Sequence, residues 1–182
     1  MERLVLVDED DREVGTERKL AAHEAGLLHR AFSVFVLNGA GELLLQRRAT
    51  SKYHSGGRWS NACCGHPRPG EPVAAAAHRR LREEMGFDCP LAPISTFRYR
   101  VRLENGLVEN EIDHVLVGGW DGPPAPDPLE AAGWRWVERG ALEARLAEAP
   151  EEFTVWLRLI LGAMGPEIWA GRVVAAPAPR GT

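Results

Sequence analysis

Nothing in this chain approaches the roughly 20 consecutive apolar residues that a helix needs to cross a bilayer. Its first eight residues, Met1 to Asp8, alternate like an edge strand and lack the longer apolar region of a secretory leader. Cysteine is scarce: of three, Cys63 and Cys64 are adjacent, which makes a poor disulfide framework and fits a reducing compartment. The expected location is therefore the cytoplasm. No internal repeat is seen, and no aromatic-interleaved basic patch occurs, so no nucleic-acid-binding surface is expected.

What is present is enough for one core. With 182 residues, 45% of them hydrophobic, the chain can bury one domain and is short for two. The expected limits are a single domain over residues 1–174 and a low-complexity, frayed tail over 175–182. Net charge is −4 but unevenly spread. Residues 47–102 carry 11 Lys and Arg against 4 Asp and Glu, whereas the remainder carries 11 against 22. A basic segment on an acidic body matches a small, highly charged anion as partner.

Periodicity gives a mixed α/β chain. The apolar runs 31–37 and 42–46, joined by Asn38-Gly39-Ala40-Gly41, read as a hairpin. Residues 48–64 show no period and read as loop. Pro72 suits a first helical position, Val73, Ala77, Leu81 and Met85 recur every four residues, and Gly86 suits a C-cap. A second hairpin turns at Glu104-Asn105-Gly106 between 97–102 and 107–117. Residues 121–128 are Pro-rich loop, 134–137 a short strand, and helices follow near 139–148 and 153–163. The expected architecture is a curved mixed β-sheet flanked by helices, an α/β/α sandwich.

The chemistry concentrates in one stretch. Gly65, Glu71, Arg79, Glu83, Glu84 and Gly86 follow the spacing of the Nudix box. On a helix, Arg79 with Glu83 and Arg80 with Glu84 are i,i+4 neighbours, so a carboxylate can face a metal while a guanidinium meets phosphate. An ordinary solvated helix with ion pairs is the plain alternative. Where hydrolases of this pattern carry Arg-Glu, this chain has Arg79-Arg80: one carboxylate fewer for metal and water, one cation more for phosphate. His23, His29 and His66 stand in separate loop-like contexts. Glu109 and Glu111, two apart on a strand, face the same way. Three imidazoles and two carboxylates suit Zn²⁺ or Mn²⁺ better than Mg²⁺, although scattered histidines are more often surface or satisfied core groups.

Six segments carry a resemblance: Lys19-Leu20-Ala21-Ala22-His23, Leu28-His29-Arg30-Ala31-Phe32-Ser33, residues 47–52, Trp59 through the Cys64-Gly65-His66-Pro67 loop, Phe97-Arg98-Tyr99-Arg100 and Glu109-Asn110-Glu111. Together they resemble the type I isopentenyl-diphosphate Δ-isomerases, a Nudix-fold family of isoprenoid synthesis, over residues 15 to about 160. The resemblance implies an intramolecular oxidoreductase that transposes a C=C bond of isopentenyl diphosphate to give dimethylallyl diphosphate. It implies Cys64, Glu111 and Tyr99 as catalytic residues, and Lys19, Arg48, Lys52, Arg80 and Trp156 as substrate contacts. It further implies one Mn²⁺ or Zn²⁺ on His23, His29, His66, Glu109 and Glu111, and Mg²⁺ carried with the diphosphate at Glu84. The implied partner is the small-molecule substrate alone, with no nucleic acid or membrane, on a monomer or weak dimer. Cys63 and Cys89 read as structural, His78 as an exposed helix residue, and His54 as a possible phosphate contact. His114 falls on the strand face opposite the ligands. A Nudix diphosphate hydrolase and a catalytically silent metal-binding module on the same fold are the alternatives.

Overall fold

The computed structural model describes residues 2–171; the tail expected over 175–182 lies outside them. The sheet grows from β3 (His29–Leu37), whose apolar side chains alternate between two buried faces. Phe32, Val34 and Val36 point to one core, and Phe35 and Leu37 to the other. Being covered on both faces explains why β3 reads as an unbroken apolar run.

Strand β1 (Arg3–Val7) is not an edge: it pairs with β2 (Glu13–Arg18) and also bridges β3 at Leu6 and His29. The edge belongs to β2, and its pattern of charged residues explains why periodicity alone does not reveal it. Helix α1 (Lys19–Ala25), also absent from the sequence reading, is only seven residues long and ends on Gly26 in the left-handed region. The hairpin from β3 to β4 (Leu43–Arg48) exists but splays at once, with Leu37 and Leu43 as its single register pair. Beyond that pair, β4 joins β5 (Trp59–Asn61) and β9 (Ala131–Val137). β3 meanwhile joins β6 (Cys63–Gly65) antiparallel and β8 (Val108–Gly119) parallel. The stretch 48–64, expected as loop, thus contains two three-residue pairings too short to show a period.

β7 (Leu91–Arg102) and β8 form the second hairpin, with β7 starting six residues before its aromatic stretch. One face of the sheet holds α2 (Val73–Met85) through Ala76, Ala77, Leu81 and Met85. Pro72 caps that helix from the extended region instead of opening it. Gly86 ends it at φ 72°, where a Cβ would stand 2.3 Å from the Ala125 carbonyl oxygen, so only glycine fits. The other face holds α3 (Arg139–Glu148) and α4 (Val155–Ala170), which bury Leu142, Trp156, Leu157, Ile160 and Ile168. α4 runs beyond the expected 163 and kinks at Met164, just before Pro166. The result is the expected α/β/α layering around a mixed sheet.

Candidate active site

A cavity of about 620 Å³ opens where α1, β6, β8, the second half of α2 and the 50–58 loop converge. Its deepest group is built by register. His29, the first residue of β3, pairs with Glu111 on β8, and Glu109 follows the same strand face. His23 comes from α1, not from a loop, and His66 directly follows β6. One ligand atom from each of His23, His29, His66, Glu109 and Glu111 lies within 4.8 Å of every other.

These atoms crowd in a way that fits a cation. Backbone carbonyls can only accept, so His23 Nδ1 donates to Lys19 (2.6 Å) and His29 Nδ1 to Leu27 (2.8 Å). Both Nε2 atoms are thereby turned toward the carboxylates: His23 to Glu109 at 3.0 Å and His29 to Glu111 at 3.4 Å. His29 Nε2 and His66 Nδ1 are buried with no hydrogen-bond partner. At His23 and His29, Nε2 acceptors facing carboxylates, with the Nδ1 atoms held by carbonyls, are the arrangement a divalent ion stabilises. Burial and the neighbouring Glu111 push the Glu109 carboxyl up. Burial also acts to raise Glu111, but the imidazoles of His29 and His66 beside it outweigh that and hold Glu111 well below the carboxylate range. Burial lowers the His66 imidazole to about 4 despite Glu111 beside it.

On the same wall, Tyr99 Oη donates to Glu111 Oε2 at 2.6 Å. Burial and Glu111 push the Tyr99 phenol well up, so the proton between them stays on the tyrosine. Cys64 sits on β6 opposite Ser33 of β3 and lines the same cavity. Burial and Asp113 push its thiol up to about 12. Its neighbour Cys63 is fully buried in the α2-side core, as expected of a packing residue. The indole of Trp156, 4% exposed, lies over the cavity with the Arg48 guanidinium 5.2 Å from its ring centre.

The cations gather at the mouth. Lys19, Arg48, Lys52 and Arg80 all line the cavity, together with Arg68 and Arg79. Arg48 Nε is buried without a hydrogen-bond partner, a free donor for an anion. Arg80 reaches Glu83 and Glu84 at 2.7 Å each and Glu130 at 3.0 Å. Burial opposes its charge, yet those carboxylates keep it protonated. Glu84, 5% exposed, is also held by Gln46 Nε2 at 2.8 Å and lies apart from the His/Glu group.

Three residues add to what the sequence shows. His54, expected as a possible phosphate contact, lines the cavity beside Arg48; its Nε2 approaches Glu109 Oε1 at 3.2 Å, and its ring meets Trp156 edge-on at 5.7 Å. Glu130, which ion-pairs with both Lys52 and Arg80, had no signal because it is 78 residues from one and 50 from the other. His78 is half-buried rather than exposed, its Nδ1 2.6 Å from Asp88 Oδ1. His114 does lie on the far face, where its Nε2 meets Asp11 at 2.8 Å.

The fold and the box define the class: residues 27–157 match the NUDIX domain. Solved structures agree on the fold. A Deinococcus radiodurans protein superposes with a TM-score of 0.74 at 24% identity, covering 89% of this chain and 98% of that one. A MutT protein from Methanosarcina mazei gives 0.62 at 20% identity, over 77% and 94%. Sequence relatives are more specific. The isopentenyl-diphosphate Delta-isomerase of Burkholderia multivorans is 53% identical over 174 residues, 94% of this chain and 99% of its own length. That of Serratia proteamaculans is 50% identical over 172 residues, 93% and 96% of the two chains. Within the Nudix class, the chain belongs to the isopentenyl-diphosphate Delta-isomerase family, whose enzymes transpose a C=C bond, and these relatives favour that reading over a Nudix hydrolase.

Proposed function

We propose that this chain, acting as one domain over residues 1–174, converts isopentenyl diphosphate to dimethylallyl diphosphate through a tertiary carbocation. The observation that carries the reading is the pairing of Tyr99 with Glu111 at 2.6 Å on one wall of a cavity that Cys64 also lines. The π electrons of the alkene take a proton at C4, leaving the cation at C3. The C2–H bonding pair then forms the new double bond as its proton leaves. The Glu111–Tyr99 pair serves one face of the substrate and Cys64 the other. Trp156 presents its indole to the cation, a contact contributing roughly 0.5–2 kcal/mol when desolvated. Lys19, Arg48, Lys52 and Arg80 hold the diphosphate away from the reacting carbons, so no phosphate bond breaks. Arg80 supports this division, since it puts a cation where a hydrolase of this pattern has a metal-binding carboxylate.

His23, His29, His66, Glu109 and Glu111 would hold one divalent ion, for which the imidazole-rich donor set favours Mn²⁺ or Zn²⁺. Glu84 would hold Mg²⁺ delivered with the diphosphate. When bound, these ions supply fixed positive charge that orders the carboxylates and neutralises phosphate. No helix among the described residues is long and apolar enough to cross a membrane; the reading places the enzyme in the cytoplasm as a monomer or weak dimer acting on this small molecule alone.

Proton NMR of isopentenyl diphosphate incubated with the protein and divalent ions in D₂O tests this. Deuterated dimethylallyl diphosphate without phosphate release is the expected result. Unchanged isopentenyl diphosphate, with cleavage of nucleoside diphosphate derivatives instead, would sink it.

A further inference from the structure

We propose that Asn61, with Ser60, is a positioning residue that links the Cys64 thiol to the Trp156 indole through one buried hydrogen-bond chain. The proposal rests on the reading that Cys64 and Trp156 face the reacting carbons. Asn61 is fully buried on β5, and Ser60 is 2% exposed beside it. Neither lines the cavity, so neither touches substrate.

The amide of Asn61 uses all of its hydrogen-bonding capacity. Its Nδ2 donates to the carbonyls of Val34 (3.0 Å) and Cys63 (2.9 Å). Two carbonyl acceptors determine which end of the amide is nitrogen, so Oδ1 must face the remaining two partners. Those partners are donors: Cys64 Sγ at 3.0 Å and Ser60 Oγ at 3.1 Å. Ser60 Oγ in turn accepts from Trp156 Nε1 at 3.0 Å and from Thr154 Oγ1 at 3.2 Å. The chain therefore runs indole N–H to serine, serine O–H to amide oxygen, and thiol S–H to the same oxygen. The indole, the serine and the amide each have one direction available, so only the thiol end of the network has an alternative arrangement.

Cys64 does have a second acceptor within reach. Ser33 Oγ lies 3.6 Å from its sulfur and spends its own proton on Asp113 Oδ2 at 2.6 Å, which leaves its oxygen open. Asn61 wins by distance and keeps the thiol turned toward β5. Without Asn61, the S–H swings to Ser33, and the sulfur changes its bearing on the cavity. The same loss frees the Ser60 hydroxyl to rotate and loosens the indole. One amide thus sets two of the groups that enclose the reacting carbons.

The test uses N61A, S60A and S60T in the full chain loaded with divalent ions. N61A is expected to lower kcat by on the order of 100-fold, as for a misplacement of a reacting group by about 1 Å, with KM within about twofold. Two readouts separate positioning from a structural defect. The S–H stretching band of Cys64, identified by its loss in C64A, shifts in N61A. The indole N–H resonance of Trp156, identified by its loss in W156F, also shifts, although Asn61 does not touch the indole. S60A moves the same resonance and lowers kcat, and S60T restores both. A folded N61A with kcat within threefold of wild type, or with band and resonance unmoved, overturns the proposal. If N61A does not fold, S60A carries the test, and an unmoved S–H band there overturns it equally. A wild-type protein inactive on isopentenyl diphosphate would overturn the reading of the site; an active wild type with an equally active N61A overturns only this link.

Discussion

Replacing Tyr99 by phenylalanine removes one hydroxyl and little else. The ring, 8% exposed, keeps its packing in the α4-side core and its contact with Phe97. What is lost is the 2.6 Å hydrogen bond to Glu111 Oε2, for which Tyr99 is the hydroxyl donor. Glu111 Oε1 still faces His66 at 3.0 Å and His29 at 3.4 Å, so the carboxylate stays ionised with one oxygen unsatisfied. A hydrogen bond to a charged group contributes about 1.5–3 kcal/mol. For a domain of this size that lowers Tm by roughly 3–12 °C. The kinetic effect is larger, since a positioned proton donor contributes about 10²–10⁴-fold. Turnover at saturating isopentenyl diphosphate, followed by deuterium incorporation, should fall by that factor. Binding of inorganic pyrophosphate, measured by calorimetry, should stay within about twofold, because Tyr99 does not contact Lys19, Arg48, Lys52 or Arg80. A Y99F protein that turns over within threefold of wild type would refute the assignment. So would a loss of rate accounted for entirely by weaker pyrophosphate binding.

Three further outcomes are expected. E130Q releases Lys52 and Arg80 from their shared carboxylate, and should bind inorganic pyrophosphate roughly fivefold tighter, as expected for about 1 kcal/mol of solvent-screened repulsion; weaker binding would mean that Glu130 orients the two cations. A chelator should lower Tm reversibly in the wild type, by the equivalent of about 2.7 kcal/mol when the ion had been present at 100 times its Kd; a full response persisting in H29A would show that the ion sits elsewhere. Hydrogen bonds from Arg79 hold the Glu71 carboxyl at about 2, below its usual range. A depressed folded-state pKa contributes stability that is fully present above about 4.5 and is lost as pH falls toward 2. The stability gap between wild type and E71Q in urea, under about 1 kcal/mol because the pair lies near the surface, should therefore close on acidification; a gap that holds or widens contradicts the pairing.

Much of the fold was legible because local rules and tertiary demands agree. The four-residue recurrence in α2 and the left-handed Gly86 are properties of the chain itself, and so is the Asn105-Gly106 turn of the second hairpin. Where they disagree, the reading failed. β5 and β6 are three residues each, and neither length can display a period. β1 is internal because β2 covers it, and β2 is polar enough to hide as loop. α1 is too short to hold itself together as an isolated helix and owes its place to Ala22 and His23 being buried.

The site divides in the same way. Residue types and close spacings were enough to single out the Cys64–Pro67 loop, the altered box with Arg80, and the strand pair Glu109 and Glu111, because neighbours in sequence stay neighbours on one strand or helix. His23, His29 and His66 stand as separate histidines by spacing and composition, and it was the resemblance that implied them as one ligand set. Their convergence within 4.8 Å depends on the parallel register of β3 with β8 and on α1 packing against β8. Tertiary structure alone decided that Glu130 reaches across to Lys52 and Arg80, that His54 turns to Glu109, and that Asn61 joins Cys64 to Trp156. Hydrogen bonds and ion pairs act over about 3 Å of space, and distance along the chain carries no record of which atoms folding brings that close.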